Sequence, residues 1–208
     1  MVDLLQPLSP VKVEWVLDPV FLLEKSDWDD VACKNSHFKG KYIFCYFLGE
    51  NKKERQIARK YARKRHLKVV TIKDLFVEYN VRLDERFANI RIENANPSDF
   101  VSLIKNSEYV FTDSFHATAF SLIYKKQFFV FNRYKNGGMN DRIKSILNLF
   151  NAINRFCEAE QENFDYVNNL KDLNYLDNQE EFEKLKKQSV KFMIDGIGGI
   201  FDGKRGAN

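Results

Sequence analysis

The sequence predicts an α/β domain, a parallel sheet buried between helices. Three observations carry that expectation. Short apolar runs rich in aromatic and β-branched residues recur at residues 42–48, 67–72, 109–112 and 128–131, the pattern of strands covered on both faces. Apolar residues at helical spacing separate them, as in Phe115, Ala119, Leu122 and Ile123. The connection at 113–126 is too long for a hairpin and long enough for a helical crossover. Residues 109–131 therefore read as one right-handed βαβ unit.

Taken in order, residues 11–17 alternate and read as a strand, stopped by Asp18-Pro19. Phe21, Leu22 and Leu23 suit a short turn packed on the core, and residues 27–30 a polar segment anchored by Trp28. A loop at 33–41 carries His37, expected in solvent. Residues 42–48 form the clearest central strand, broken by Gly49-Glu50-Asn51. A helix over 52–66 turns Ile57, Ala58, Tyr61 and Ala62 inward. Its other face bears Lys53, Arg59, Lys60, Arg63 and Lys64, either plainly solvated or a patch for an acidic polymer or phosphate-rich surface.

The strand at 67–72 makes a second βαβ unit, and 74–91 reads as a short helix with loops. Asn96 caps the next helix, with Pro97 in its first turn and Asp99 in the capping-box position. Phe100, Val101, Leu103 and Ile104 form that helix's buried side. After the strand at 128–131 comes a loop with Arg133, Lys135, Gly137 and Gly138. Asn140 or Asp141 caps a helix burying Ile143, Ile146, Leu147 and Phe150. A polar stretch leads to a last helix over 179–194, with Phe182, Leu185, Phe192 and Met193 partly on one side. The expected division is one domain over residues 1–195 and a flexible glycine-rich tail over 196–208.

Composition narrows the function. At 208 residues, 44% hydrophobic and 30% charged, the chain is an ordinary globular one. Its nineteen phenylalanines forecast an aromatic core. No apolar run approaches the roughly 18 residues of a membrane span, and the N-terminus lacks a secretory signal, so the expectation is cytoplasmic. A net charge of +4 is a milder excess than nucleic-acid domains carry, so no nucleic-acid partner is expected. Cys33, Cys45 and Cys157 are odd in number and widely spaced, which suits reduced thiols. His37, His66 and His116 show no metal-ligand spacing, and no metal is expected.

One histidine stands out. Asp113 or Ser114 caps the helix that begins beyond the strand at 109–112, placing His116 in its first turn. Free N–H groups and the helix dipole draw anions to such an end, and ligands of open α/β sheets bind beyond the carboxyl ends of strands. His116 is thus a candidate ligand-binding or catalytic residue; the bland alternative is packing beneath a loop. Arg133, Lys135 and Arg142 follow a strand on the same edge, and guanidinium groups suit phosphate or carboxylate. The alternative there is a connection with solvated charges.

The chain resembles the C-terminal half of the polysaccharide pyruvyl transferase family over residues 13–155. The likeness rests on Val16-Leu17-Asp18-Pro19 with Leu22-Leu23 and Trp28, and on Asn96-Pro97-x-x-Phe100 with Leu103-Ile104. It rests above all on Thr112-Asp113-Ser114-Phe115-His116-x-Thr118-Ala119-Phe120-Ser121, followed by Arg133 and Asn140-x-Arg142-Ile143. The resemblance implies a Rossmann-like sheet flanked by helices, similar to the C-terminal domain of a GT-B glycosyltransferase. It implies transfer of pyruvate from phosphoenolpyruvate to a sugar diol as a ketal, in surface-polysaccharide biosynthesis. No cofactor is implied, phosphoenolpyruvate being the donor substrate, and the acceptor would be a sugar or lipid-linked saccharide. His116 would be the catalytic acid or base, since imidazole changes charge near neutrality. Arg133 and Arg142 would hold the donor's phosphate or carboxylate, with Ser114 and Asn140 as hydrogen-bonding helpers.

The sequence departs from the family pattern in three places. Ser114 stands where some members have arginine, and Ala117 where glycine often follows the histidine. The family's N-terminal domain is expected to be missing, so a partner chain could supply it. The alternatives to the pyruvyl transferase are a nucleotide-sugar glycosyltransferase domain and a truncated non-catalytic binding domain.

Overall fold

In the computed structural model, residues 2–34, 38–73, 78–133, 140–158, 161–175 and 179–203 are described. Among them, six strands form one parallel sheet: β1 (Tyr42–Tyr46), β2 (Lys68–Ile72), β3 (Ile90–Ile92), β4 (Tyr109–Thr112), β5 (Gln127–Phe131) and β6 (Phe156–Cys157). Their order is β3-β2-β1-β4-β5-β6. The chain builds outward from β1 to β3, crosses back beside β1 as β4, and builds outward the other way. That reversal between β1 and β4 is the point at which open α/β sheets leave a crevice.

Helices cover both faces. Phe44, Phe128 and Val130 point into one apolar layer with α5 (Pro97–Asn106), α6 (Phe115–Ile123) and α7 (Asp141–Leu149). Ile43, Phe129 and Phe131 point into the other, beneath α3 (Lys52–Lys64), α4 (Glu78–Phe87) and α8 (Phe164–Asn169). Side chains of a strand alternate between faces, so a strand apolar at every position needs both layers. The core is aromatic, as its composition forecast: Tyr61, Phe111 and Phe129 pack edge to face or tilted, with centroids 4.9–5.6 Å apart.

Several expectations hold in detail. Ile57, Ala58, Tyr61 and Ala62 are buried on α3, while Lys53, Arg59, Lys60, Arg63 and Lys64 are exposed. The capping box of α5 forms as read, Asp99 N–H donating to Asn96 at 3.1 Å and Asn96 N–H to Asp99 at 2.9 Å.

Others are corrected. Residues 11–17 are not a strand. Their amides go to side chains, Val13 N–H to Gln6 Oε1 and Leu17 N–H to Ser189 Oγ of α9 (Gln179–Gly203), so no ladder exists to define one. The alternation does not mark a covered face, since Val11 and Trp15 are exposed and only Leu17 is buried. Strands β3 and β6 were not foreseen, because three and two residues carry no readable period. Nor was α2 (Lys25–Val31), whose start is a Glu24–Asp27 capping box rather than an apolar stripe, or α8. Helix α9 runs to Gly203, past the expected end at 194; glycine costs a helix about 1 kcal/mol against alanine but keeps its backbone hydrogen bonds. Of the apolar residues on α9, Leu185 is buried, while Phe192 and Met193 are exposed. His37, Lys135, Gly137 and Gly138 lie outside the described residues.

Lys105 ties α5 to α2 through Asp29, and Lys25 of α2 pairs with the same carboxylate. Lys105 Nζ lies 2.8 Å from Asp29 Oδ1, and Lys25 Nζ 2.7 Å from Asp29 Oδ2. These ammonium groups, Lys105 first, hold the Asp29 carboxyl down at about 2. A carboxyl lowered on folding stabilises fully above its unfolded value and loses that contribution as pH falls through the folded one. The stability gap between the parent and Asp29→Asn is therefore expected to be full above pH 4 or so and to close as pH falls towards about 2. Acid titration by circular dichroism checks this; a gap that does not change with pH contradicts it.

Candidate functional site

The switch point is fastened by one carboxylate. Asp113 follows β4, and its side chain is buried. Its two oxygens accept from Leu48 N–H and Gly49 N–H, each at 2.8 Å, in the loop after β1. Burial raises the Asp113 carboxyl above its ordinary range, while these two donors and Arg133 pull it down. Thr112 Oγ1 donates to Tyr46 O at 2.6 Å, a second tie between the same strands.

Gly49 is required by close approach. A Cβ there would stand 2.5 Å from Asn51 Oδ1 and 3.0 Å from Arg133 O, so the loops after β1 and β5 touch at this residue. Asn51, at φ 33°, completes the junction by donating Nδ2 to Asn132 O at 2.9 Å. Arg55 of α3, buried and paired with Asp84 at 2.8 Å, braces the loop by donating to Gly49 O at 3.1 Å.

The candidate residues converge on that junction. Ser114 is the N-cap of α6, its hydroxyl oxygen accepting from Ala117 N–H at 3.5 Å. His116 occupies the first turn and is exposed. The N–H groups of Phe115 and His116 lie in that same turn, where no carbonyl one turn earlier exists to bind them. A cavity of about 260 Å³ opens here, lined by Ser114, His116, Arg133, Asn140 and Arg142 with Asp113 and Leu48. All five residues singled out from the sequence thus share one cavity, and His116 is neither inside the core nor remote from the arginines.

The two arginines differ. Arg133 donates Nη2 to Asp113 O at 3.2 Å, and its Nε lies 3.8 Å from Asp113 Oδ2, buried without a hydrogen-bond partner. An anion in the cavity would find that guanidinium under-used. Arg142 is already engaged: Nη2 meets Asp18 Oδ2 at 2.8 Å, and the guanidinium stacks 4.2 Å above the Phe115 ring. Asn140 heads α7 without a side-chain cap, and its amide donates to Asn132 Oδ1.

Sequence reasoning missed Asp18 as Arg142's partner, Gly49 as a contact point and Asp113 as a lock. Asp18 and Asp113 stood in the motifs already quoted, which was the signal available. The two buried thiols lie apart from this site, on β1 and β6, and burial pushes Cys157 up to about 12. Among the described residues, no three His, Cys, Asp or Glu side chains gather closely enough to hold a metal ion.

Fold and site together define a Rossmann-like α/β domain with a cavity lined by two arginines at its switch point. The chain belongs to the polysaccharide pyruvyl transferase family, whose model matches residues 6–136. The match starts before residue 13 and includes Arg133, but ends short of Asn140 and Arg142. The structure is similar to the Methanocaldococcus jannaschii UDP-GlcNAc 2-epimerase in complex with UDP-GlcNAc and UDP, with TM-score 0.53 and 14% identity. That likeness covers 92% of this chain and 57% of the epimerase chain, so this chain spans little over half of its length. At this identity it speaks for the Rossmann-like fold alone. No curated protein matches.

Proposed function

We propose that this domain transfers pyruvate from phosphoenolpyruvate to a sugar diol as a ketal, in surface-polysaccharide biosynthesis. The observation that carries the reading is the shared cavity of His116, Ser114, Arg133, Asn140 and Arg142 at the mouth of α6. Phosphoenolpyruvate brings a phosphate and a carboxylate. Arg133 and the first-turn N–H groups offer charge-assisted donors for one, and Arg142 for the other once a ligand competes with Asp18.

The reaction balances without a change of overall oxidation state, so it calls for no redox cofactor. A proton adds to the methylene carbon, making it a methyl group, and a sugar oxygen bonds to the carbon bearing the phosphate. The C–O bond to phosphate then breaks, and the second sugar oxygen bonds to the same carbon. The two hydroxyl protons account for the new methyl hydrogen and for the proton on the departing phosphate. His116 is the group positioned to carry one of them.

Among the described residues, no helix is long and apolar enough to cross a membrane. Phosphoenolpyruvate is an intracellular metabolite, which places the proposed reaction in the cytoplasm. A partner chain supplying the opposite wall of the cleft belongs to the same proposal.

Calorimetry on the full chain tests the donor. Arg133→Ala is expected to weaken phosphoenolpyruvate binding by about 1.5–3 kcal/mol, the usual worth of a hydrogen bond to a charged group. Arg142→Ala is expected to cost less, since in the parent a ligand gains Arg142 only by displacing Asp18 from it. Affinity unchanged in both variants, or a preference for nucleotide sugars over phosphoenolpyruvate, contradicts the reading.

A further inference from the structure

Opposite α6 and α7, the sheet is covered by α3, α4 and α8, and that layer holds the molecule's unbalanced positive charge. Lys53, Arg59, Lys60, Arg63 and Lys64 of α3 are exposed. Among the described residues, none of these five meets a carboxylate. They alone exceed the net charge of +4 that the whole chain carries, so the remaining surface is not basic. Neighbouring acids do not neutralise them. Asp84 of α4 is buried against Arg55, Glu85 pairs with Arg91 at 3.1 Å, and Asp165 is the one acid of α8. A helix that is merely solvated interleaves its signs so that neighbours one turn apart attract. The outer face of α9 does so, with Glu180, Glu181 and Glu183 followed by Lys184, Lys187 and Lys191. On α3 the corresponding neighbours, Arg59 with Arg63 and Lys60 with Lys64, repel.

We infer that the α3 face seats the protein on an anionic lipid bilayer, by charge alone. A negative surface reverses the repulsion that the bare face carries, and each cation near an anionic leaflet contributes about fivefold in affinity. Every exposed position of α3 is Lys, Arg or Gln56, so the helix rests on headgroups and inserts no apolar side chain. The face is also broad. Arg59 joins α3 to α4 by donating Nη1 to Arg86 O at 2.8 Å, and Lys60 lies 4.0 Å over the Phe164 ring of α8. A helix flanked on both sides suits a surface, whereas a nucleic-acid groove admits a projecting one. Because α6 and α7 lie on the other face of the sheet, the cavity they border stays open when α3 is seated.

Co-sedimentation of the full chain with vesicles tests this. One set is phosphatidylcholine alone, and the other contains about one third phosphatidylglycerol. The anionic vesicles are expected to bind at least tenfold tighter at low salt, and to lose that advantage as salt shortens the screening length to about 3 Å at 1 M. Combining Lys60→Gln, Arg63→Gln and Lys64→Gln should cut anionic-vesicle binding at least tenfold. Its melting temperature should match or exceed the parent's, since it removes repulsion. The control Lys184→Gln, Lys187→Gln and Lys191→Gln removes the same charge from α9 and should leave binding within threefold. Should the α3 variant melt lower, Lys53→Gln and Arg63→Gln are scored singly, each expected to cost at least twofold.

Binding to the two vesicle sets within threefold overturns the inference, as does an α3 variant that binds like the parent. A loss as large in the α9 control does the same, since it would make net charge the cause rather than this face. A short duplex DNA, titrated at equal phosphate concentration, is expected to bind more weakly than the anionic vesicles. Tighter binding to the duplex assigns the face to nucleic acid and overturns the bilayer. The contact makes no use of the cavity, so vesicle binding and phosphoenolpyruvate binding can fail separately.

Discussion

Replacing His116 by alanine is expected to lower turnover at least a hundredfold while leaving phosphoenolpyruvate affinity within threefold. The size follows from what a positioned acid or base contributes, about 10²–10⁴. The split follows from geometry. His116 is exposed at the cavity mouth, whereas the proposed function assigns the donor's charges to Arg133, Arg142 and backbone N–H groups. Removing the imidazole therefore removes proton transfer and little of the anion binding. Phosphate release from phosphoenolpyruvate with a saccharide acceptor measures turnover, and calorimetry measures affinity. Because His116 is exposed in a helix's first turn, alanine should not disturb the fold, and a matching melting temperature verifies that. Turnover surviving within tenfold would remove His116 from the chemistry and leave the cavity as a binding site only.

Asp113→Ala is expected to destabilise the fold by about 3 kcal/mol, since it leaves two N–H groups, Leu48 and Gly49, without acceptors at about 1–3 kcal/mol each. Shedding a buried charge offsets part of that cost, which is why the lower end of the sum applies. For a chain of this size such a loss lowers the melting temperature by roughly 6–12 °C. Asp113→Asn should fall between parent and alanine, because its one oxygen can accept from either Leu48 or Gly49 while its NH₂ opposes the other donor. A melting temperature within 2 °C of the parent for Asp113→Ala would show that the strand ends hold together without this carboxylate.

The strands that could be read were those with no choice of environment. β1, β4 and β5 are apolar at nearly every position, and only burial on both faces accommodates that. Residues 11–17 alternate as a strand would, yet Val11 and Trp15 are exposed and the segment is tied to α9 through Leu17 and Ser189, so the alternation records no covered face. The edge strands β3 and β6 owe their pairing to β2 and β5 rather than to their own composition. In the site, Ser114 and His116 were legible as an N-cap and its first turn, a local signal. Arg133, Asn140 and Arg142 were legible as polar residues after a strand, sharpened by the family motif. The Arg142–Asp18 pair spans 124 positions, and nothing in either local sequence records it.

By itself the sequence determined which residue types stand beyond each strand's carboxyl end, and that a helix capped by Asp113 or Ser114 carries an imidazole in its first turn. Short-range patterning suffices for that, because caps and apolar periods act within a few residues. Only the tertiary structure decided which of those strand ends meet. Placing β4 beside β1 brings Leu48, Gly49, Asp113 and Arg133 into contact and leaves a polar cavity walled off from an apolar one by His116. Strand order is chosen by the packing of whole helices on both faces of the sheet, a sum over the chain that no single stretch of it encodes.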